Sequence, residues 1–154
     1  PDEVALVGLP DTVWVPKQAL KGLPDDVLSF ALFPVARPDL FDAVVLDDAG
    51  RVRAIEVKDP RATTPWIWGA FKLPGGVLRE LERLWKERER TDQLFGTLVN
   101  AFVARGGRAL GFKSGRAYVD VGTFDGYRDA VRVLRAEDEL DLPSLEPSPV
   151  EEPA

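Results

Sequence analysis

Residues 117–123 read Ala-Tyr-Val-Asp-Val-Gly-Thr and place one carboxylate, that of Asp120, near the end of an apolar run that stops at a glycine. This pattern is typical of a buried strand that presents a charged side chain at its end. Residues 4–12, Val-Ala-Leu-Val-Gly-Leu-Pro-Asp-Thr, follow the same plan and place Asp11 at the end of a second strand. Two such carboxylates can converge on one cation. We therefore interpret the rest of the chain as a frame that holds Asp11 and Asp120 together, with Lys58 on a third strand.

The composition is that of a globular protein with a sizeable core, since 45% of the 154 residues are hydrophobic. No run has membrane-spanning length and no signal peptide is recognisable, so we expect a cytoplasmic protein that does not enter a membrane. The net charge of −6 argues against broad nucleic-acid binding, which depends on clustered cations.

The chain contains neither cysteine nor histidine. This excludes disulfides, thiolate and imidazole metal sites, cysteine nucleophiles and serine–histidine hydrolases. Any metal must be held by oxygen ligands, and Mg²⁺ is the ion that accepts one or two carboxylates together with water and phosphate oxygens.

The pattern of apolar residues predicts an α/β domain over residues 1–136. Residues 137–154, Glu-Asp-Glu-Leu-Asp-Leu-Pro-Ser-Leu-Glu-Pro-Ser-Pro-Val-Glu-Glu-Pro-Ala, are acidic and rich in proline, which predicts a tail with little fixed structure. Strands are predicted at residues 4–9, 27–35, 43–46, 52–58, 66–73, 108–113 and 117–121, and helices at residues 17–23, 74–88, 91–105 and 124–135.

Two of the strands carry specific expectations. The near-continuous apolar run at residues 27–35 predicts cover on both faces, as in a parallel sheet. In residues 52–58, the second arm of a predicted hairpin, side chains alternate between faces, so Glu56 and Lys58 are expected side by side.

With these pieces in order, the chain resembles the sugar nucleotidyltransferases, and most closely their glucose-1-phosphate thymidylyltransferase-like members. The resemblance covers roughly residues 4–134. The matching residues are Leu9-Pro10-Asp11-Thr12, Leu32-Phe33-Pro34-Val35, Asp48-Ala49-Gly50-Arg51-Val52, Lys58, Trp66-Ile67-Trp68-Gly69-Ala70 and Tyr118-Val119-Asp120-Val121-Gly122-Thr123.

The resemblance implies a mostly parallel, Rossmann-like sheet of the nucleotide-diphospho-sugar transferase type. It also implies Mg²⁺-dependent transfer of a nucleotidyl group from a nucleoside triphosphate to a sugar 1-phosphate, with release of pyrophosphate and formation of an NDP-sugar such as dTDP- or UDP-glucose.

The resemblance further implies roles for individual residues. Asp11 and Asp120 would hold the catalytic Mg²⁺, and Lys58 would contact the sugar phosphate. A glycine at position 69 would let the sugar approach the backbone. The predicted substrate-binding set is Glu56, Lys58, Trp68, Gly69 and Thr123.

Two departures from the family are visible. The glutamate that often precedes the lysine and touches sugar hydroxyls is replaced by Val57. The glycine-rich loop with its arginine, and the lysine-proline element after it, have no counterpart, so the chain is similar to the C-terminal part of these enzymes. Strands missing beside residues 4–9 would leave an apolar edge, and we expect a companion segment, a partner chain or self-association to cover it.

Plainer interpretations stay open at this point. Asp11 can be a turn residue bonding its own backbone, and Lys58 can be a solvated cation paired with Glu56. Trp66 and Trp68 can be packing residues rather than a sugar platform. The alternative function is a non-catalytic module of the same fold that binds a sugar phosphate or a partner chain.

Overall fold

The computed structural model describes residues 3–141, and for residues 138–141 only their place in the last helix. The elements follow the predicted α/β order. They are β1 (Val4–Gly8), β2 (Thr12–Val15), β3 (Leu28–Pro34), a short 3-10 helix (Pro38–Leu40), β4 (Asp42–Leu46), β5 (Val52–Val57), β6 (Trp66–Pro74), α1 (Gly75–Glu87), α2 (Phe95–Ala104), β7 (Ala109–Phe112), β8 (Ala117–Asp120) and α3 (Phe124–Asp141).

The main sheet is mixed and mostly antiparallel, rather than mostly parallel and Rossmann-like as predicted. Its strand order is β5-β4-β6-β3-β7, with β1 also paired to β6. The pairing of β3 with β7 is parallel, whereas β1, β3 and β4 each run antiparallel to β6. The prediction went wrong because an apolar run reports that both faces of a strand are covered, and an antiparallel strand between two layers meets that condition equally.

Strand β3 divides the interior into two cores. Leu28, Phe30 and Leu32 face the larger core, which α1 and α2 cover, while Ala31 and Phe33 face a smaller one. All five side chains are completely buried, so the predicted cover on both faces is confirmed.

Helix α2 is fixed to the edge strand β5 by one side chain. The amide of Asn100 accepts a hydrogen bond from the backbone N–H of Ile55 at 2.7 Å and donates one to the backbone oxygen of the same residue at 2.8 Å. This two-point contact satisfies backbone groups that an edge strand otherwise leaves unpaired.

A separate two-stranded ribbon, β2 with β8, lies over the smaller core, and α3 packs against it. An ion pair between Arg116 and Glu137 at 2.6 Å connects the helix to the ribbon. The helix continues to Asp141, so residues 137–141 of the predicted tail are helical, and residues 142–154 lie outside the described residues.

Two other predicted helices differ from the structure. Residues 17–22 form turns instead of a helix. Helix α2 begins at Phe95 rather than at the predicted residue 91, and no side chain caps it; the Asp92 carboxylate instead accepts two hydrogen bonds from Arg88. Within the described residues, no helix is long and apolar enough to cross a membrane.

Candidate active site at the junction of sheet and ribbon

The ribbon brings Asp11, the turn residue directly before β2, beside Asp120 at the end of β8. Asp120 lies opposite Thr12 in the antiparallel register, and the backbone N–H of Val121 donates to the backbone oxygen of Asp11 at 2.9 Å. The two aspartates, 109 positions apart in the chain, are thus adjacent across one strand pair.

The phenol of Tyr118 lies near both carboxylates. Burial raises the pKa of Tyr118, a hydrogen bond with Thr12 lowers it, and the charges of Asp120 and Asp11 raise it further. Tyr118, Asp11 and Asp120 all line one cavity.

The hydrogen bonds of the two carboxylates differ. Asp120 accepts one from the backbone N–H of Gly122 at 2.7 Å through Oδ1, which orients the side chain and leaves Oδ2 available. In the described part of the chain no donor bonds to the Asp11 carboxylate. The turn at that point is closed by the hydroxyl of Thr12, which donates to the Leu9 oxygen. The interpretation of Asp11 as a carboxylate bonded to its own turn is therefore not what the structure shows.

Lys58 comes from the main sheet. Strand β5 ends at Val57, and Lys58 has a left-handed φ of +46°, with its N–H bonded to the backbone oxygen of Phe41. This conformation is uncommon outside glycine, and it breaks the alternation from which Glu56 and Lys58 were expected side by side. Glu56 instead accepts hydrogen bonds from the N–H and the hydroxyl of Thr63, each at 2.8 Å.

Asp42, at the start of β4, is a site residue that the sequence did not reveal. Its Oδ2 accepts a hydrogen bond from Nε1 of Trp68 at 3.3 Å. Burial raises its pKa, while Trp68, the charge of Lys58 and the backbone N–H of Gly96 each lower it. Helix α2 comes this close only because residue 96 is glycine, since a Cβ there would lie 2.8 Å from Oδ2 of Asp42. The sequence signal that could have indicated Asp42 is a single polar residue at the start of an otherwise apolar strand.

These groups line one cavity of about 330 Å³ between the sheet, the ribbon and the start of α2. That volume is at the lower end of the range for small-molecule sites. The lining residues are Leu9, Asp11, Thr12, Leu40, Phe41, Asp42, Lys58, Trp68, Gln93, Leu94, Phe95, Tyr118 and Asp120.

The cavity unites four of the predicted site residues and leaves three outside. Asp11, Asp120, Lys58 and Trp68 line it, whereas Glu56, Gly69 and Thr123 do not. The ring of Trp68 packs against Phe30, Phe71 and Phe95, and its N–H donates to Asp42. Packing is thus one role of Trp68, and its role as a sugar platform stays a prediction.

Gly69 and Thr123 have structural roles in this arrangement. A Cβ on Gly69 would lie 2.5 Å from Cε2 of Tyr118, so this glycine makes room for the tyrosine of the ribbon. The hydroxyl of Thr123 accepts a hydrogen bond from the N–H of Gly126 at 3.0 Å, as a helix N-cap does, at the start of α3.

The carboxylate oxygens at the ribbon suit a small divalent cation that takes few protein ligands. Among residues 3–141 there is no cluster of three or more acidic side chains able to form a metal cage. If a divalent cation binds here, Asp11 and Oδ2 of Asp120 would be its two carboxylate ligands beside the cavity, a set that suits Mg²⁺ together with water and phosphate oxygens.

Comparison with known proteins finds similarity in structure but not in sequence. No family model matches the sequence, and no curated protein matches it. A protein from Bacillus anthracis, solved with sucrose and described as a glucose-1-phosphate thymidylyltransferase, has a similar structure with a TM-score of 0.68 at 16% sequence identity. The similarity covers 94% of this chain and 58% of the other. The chain therefore has a nucleotidyltransferase-like fold and spans little more than half the length of that neighbour.

Proposed function

We propose that the chain carries the sugar-phosphate half of a Mg²⁺-dependent nucleotidyltransferase, which joins a nucleoside triphosphate to a sugar 1-phosphate in the cytoplasm. The product is an NDP-sugar of the dTDP- or UDP-glucose kind. The observation that carries the proposal is the single cavity in which Asp11 and Asp120 from the ribbon meet Lys58 from the sheet. The likeness of the fold to a protein described as a thymidylyltransferase supports it.

The charge of the cavity indicates why a cation is needed. Asp11, Asp42 and Asp120 contribute carboxylates, and Lys58 is the one lysine or arginine among the described residues that line it. An anionic substrate would be repelled by this surface unless a divalent ion were bound between the carboxylates and the phosphate. When bound, Mg²⁺ would neutralise phosphate charge and align the reacting groups.

Lys58 is free to bind a phosphate. Among the described residues its ammonium has no carboxylate within 4.0 Å, so no existing ion pair has to be broken. In the proposed reaction an oxygen of the sugar phosphate attacks the α-phosphorus of the triphosphate while the bond to the β-phosphate breaks and pyrophosphate leaves. Alignment and charge neutralisation carry such a step, so a protein nucleophile is not required.

The remainder of the site is proposed to come from a companion segment, a partner chain or a second copy. Strand β1 pairs only with β6 among the described strands, and Leu6 on it is 62% exposed. An open strand edge with exposed apolar side chains favours the addition of another strand.

The test is an assay of pyrophosphate release from dTTP or UTP with glucose 1-phosphate and Mg²⁺. We expect Asp120→Asn to reduce release by more than about 100-fold, the scale at which one electrostatic contact at a reacting centre acts. Asp129→Asn, an exposed aspartate of α3 paired with Arg132, is the matched control and should leave the rate unchanged. Release that persists in Asp120→Asn would contradict the proposal.

The second candidate is a binding module of the same fold without chemistry. The observation in its favour is that Lys58 is the one lysine or arginine among the described residues that line the cavity, so little positive charge faces a triphosphate. Mg²⁺-dependent binding of glucose 1-phosphate without pyrophosphate release, in the presence of both substrates, would select this candidate.

A further inference from the structure

Asp42 is the one carboxylate of the cavity that lies on the sheet side, away from the acidic pair of the ribbon. It begins β4 and pairs with Val57 across the hairpin, so it is next to the strand end from which Lys58 projects. Asp42 and Lys58 line the same cavity, where burial raises the pKa of the Asp42 carboxyl and the charge of Lys58 lowers it. A ligand whose phosphate contacts Lys58 therefore has its adjoining atoms close to Asp42.

The Asp42 carboxylate keeps acceptor capacity for a ligand. A carboxylate has about four lone-pair positions. The indole N–H of Trp68 donates to its Oδ2 at 3.3 Å, and Gly96 of α2 lies close to the same oxygen. These contacts fix its orientation, and the remaining positions are open to a donor in the cavity.

The surroundings of Asp42 match a polyhydroxylated ring. Phe41, Trp68 and Phe95 give the cavity an aromatic lining next to the Asp42 carboxylate. A sugar presents apolar C–H faces and polar hydroxyl donors together, and a site with aromatic surface and a few placed polar groups suits it.

Resting on the proposed function, we propose that Asp42 is the specificity-determining residue of the cavity and accepts a hydrogen bond from a ring hydroxyl of the sugar whose phosphate lies against Lys58. It selects sugar phosphates over phosphate alone. Because a half-buried acceptor that loses its partner donor is only partly compensated by water, removal of one particular hydroxyl weakens binding to the wild type.

The test compares the affinities of the full chain for glucose 1-phosphate and for inorganic phosphate in the presence of Mg²⁺, by titration calorimetry. Asp42→Asn keeps the size of the side chain and an acceptor for Trp68, and its fold is checked by circular dichroism. We expect it to bind glucose 1-phosphate about tenfold more weakly relative to phosphate. This ratio isolates the hydroxyl contact, since the loss of one negative charge affects both ligands alike.

The control is Asp48→Asn in the exposed turn of the same hairpin, which leaves the ratio unchanged. In a series of monodeoxy glucose 1-phosphates, one analogue binds the wild type weakly and binds Asp42→Asn as well as glucose 1-phosphate does. An unchanged ratio in Asp42→Asn overturns the role of Asp42 and leaves the proposed function standing. A wild type that does not bind glucose 1-phosphate overturns both.

Discussion

The six-stranded sheet with α1 and α2 differs from the β2–β8 ribbon with α3 in how much of it is buried. In the sheet, every side chain from Leu28 to Phe33 is completely buried. In the ribbon, Asp120 is exposed, and Phe124 and Tyr127 on α3 are 80% and 61% exposed. The cavity lies where the two regions meet, with Lys58 and Asp42 contributed by the sheet and Asp11 and Asp120 by the ribbon.

Because of this difference, substitutions in the two regions are expected to affect different properties of the protein. Buried apolar area is the main source of folding free energy, so substitutions in the sheet are expected to act first on stability. The acidic pair sits on a ribbon with little core of its own, so substitutions there are expected to act on the ligand and leave the fold intact.

The largest difference in the free energy of unfolding is expected between alanine substitutions of two phenylalanines. Phe30 is completely buried and packs against Trp68, Phe71 and Phe95. Phe30→Ala should lower the free energy of unfolding by about 3–5 kcal/mol because it leaves a cavity. Phe124→Ala should change it by less than about 0.5 kcal/mol. Urea denaturation measures both, and equal losses would remove the distinction between the two regions.

Substitution of a glycine at the contact between sheet and ribbon can be compared with substitution of a glycine in helix α1. Gly69→Ala forces its Cβ against Tyr118 and should cost about 1–3 kcal/mol while weakening Mg²⁺ binding, since the tyrosine lies between the aspartates and the sheet. Gly76→Ala in α1 meets nothing within 4 Å and should stabilise the protein by up to about 1 kcal/mol. Thermal unfolding tests both, and a neutral Gly69→Ala would mean that Tyr118 is not held against the sheet.

Asp42 and Asp92 should contribute to the pH dependence of stability with opposite sign. Burial raises the pKa of Asp42 above its ordinary value of 3.8. The folded state therefore binds more protons than the unfolded state, and stability falls as the pH rises from 3.8 through the raised pKa. Asp42→Asn should therefore gain stability relative to the wild type as the pH rises. The hydrogen bonds of Arg88 lower the pKa of Asp92, so its contribution is present above 3.8 and is lost on acidification.

Urea midpoints measured over a pH series for Asp42→Asn and Asp92→Asn would show these two slopes. The effect of Asp42 is expected to be smaller than those of the preceding substitutions, because the residue is only half-buried. Parallel slopes in the two variants would contradict the assigned environments.

The smallest effect is expected from Glu56→Gln. Its carboxylate bonds to Thr63 outside the cavity, and glutamine keeps an acceptor for that contact. The affinity for glucose 1-phosphate should stay within about twofold, and stability should fall by no more than about 1 kcal/mol. A loss of affinity equal to that of Asp42→Asn would place Glu56 in the site after all.

Local signals predicted the elements better than their arrangement. The hairpin is confirmed because Asp47 closes its turn by accepting hydrogen bonds from the N–H groups of Ala49 and Arg51. Strand direction could not be predicted, because the antiparallel pairing of β3 with β6 is decided by partners 32 or more positions away.

The candidate site shows the same division. Strand ends pointed to Asp11, Asp120 and Lys58, and the structure brings them to one cavity, while their roles stay predictions. Asp42 was missed because its position depends on Trp68, Gly96 and Lys58, which are remote in sequence. Glu56 does not line the cavity beside Lys58, because a single left-handed residue, Lys58, ends the alternation of the strand.

The most direct measurement of the shared metal site is anomalous diffraction from crystals of the full chain grown with Mn²⁺, in place of Mg²⁺, and glucose 1-phosphate. The account predicts one Mn²⁺ peak bound by carboxylate oxygens of both Asp11 and Asp120 and by a phosphate oxygen, with the phosphate in contact with Lys58. A peak bound by only one of the two aspartates, or a phosphate bound elsewhere on the chain, would contradict it.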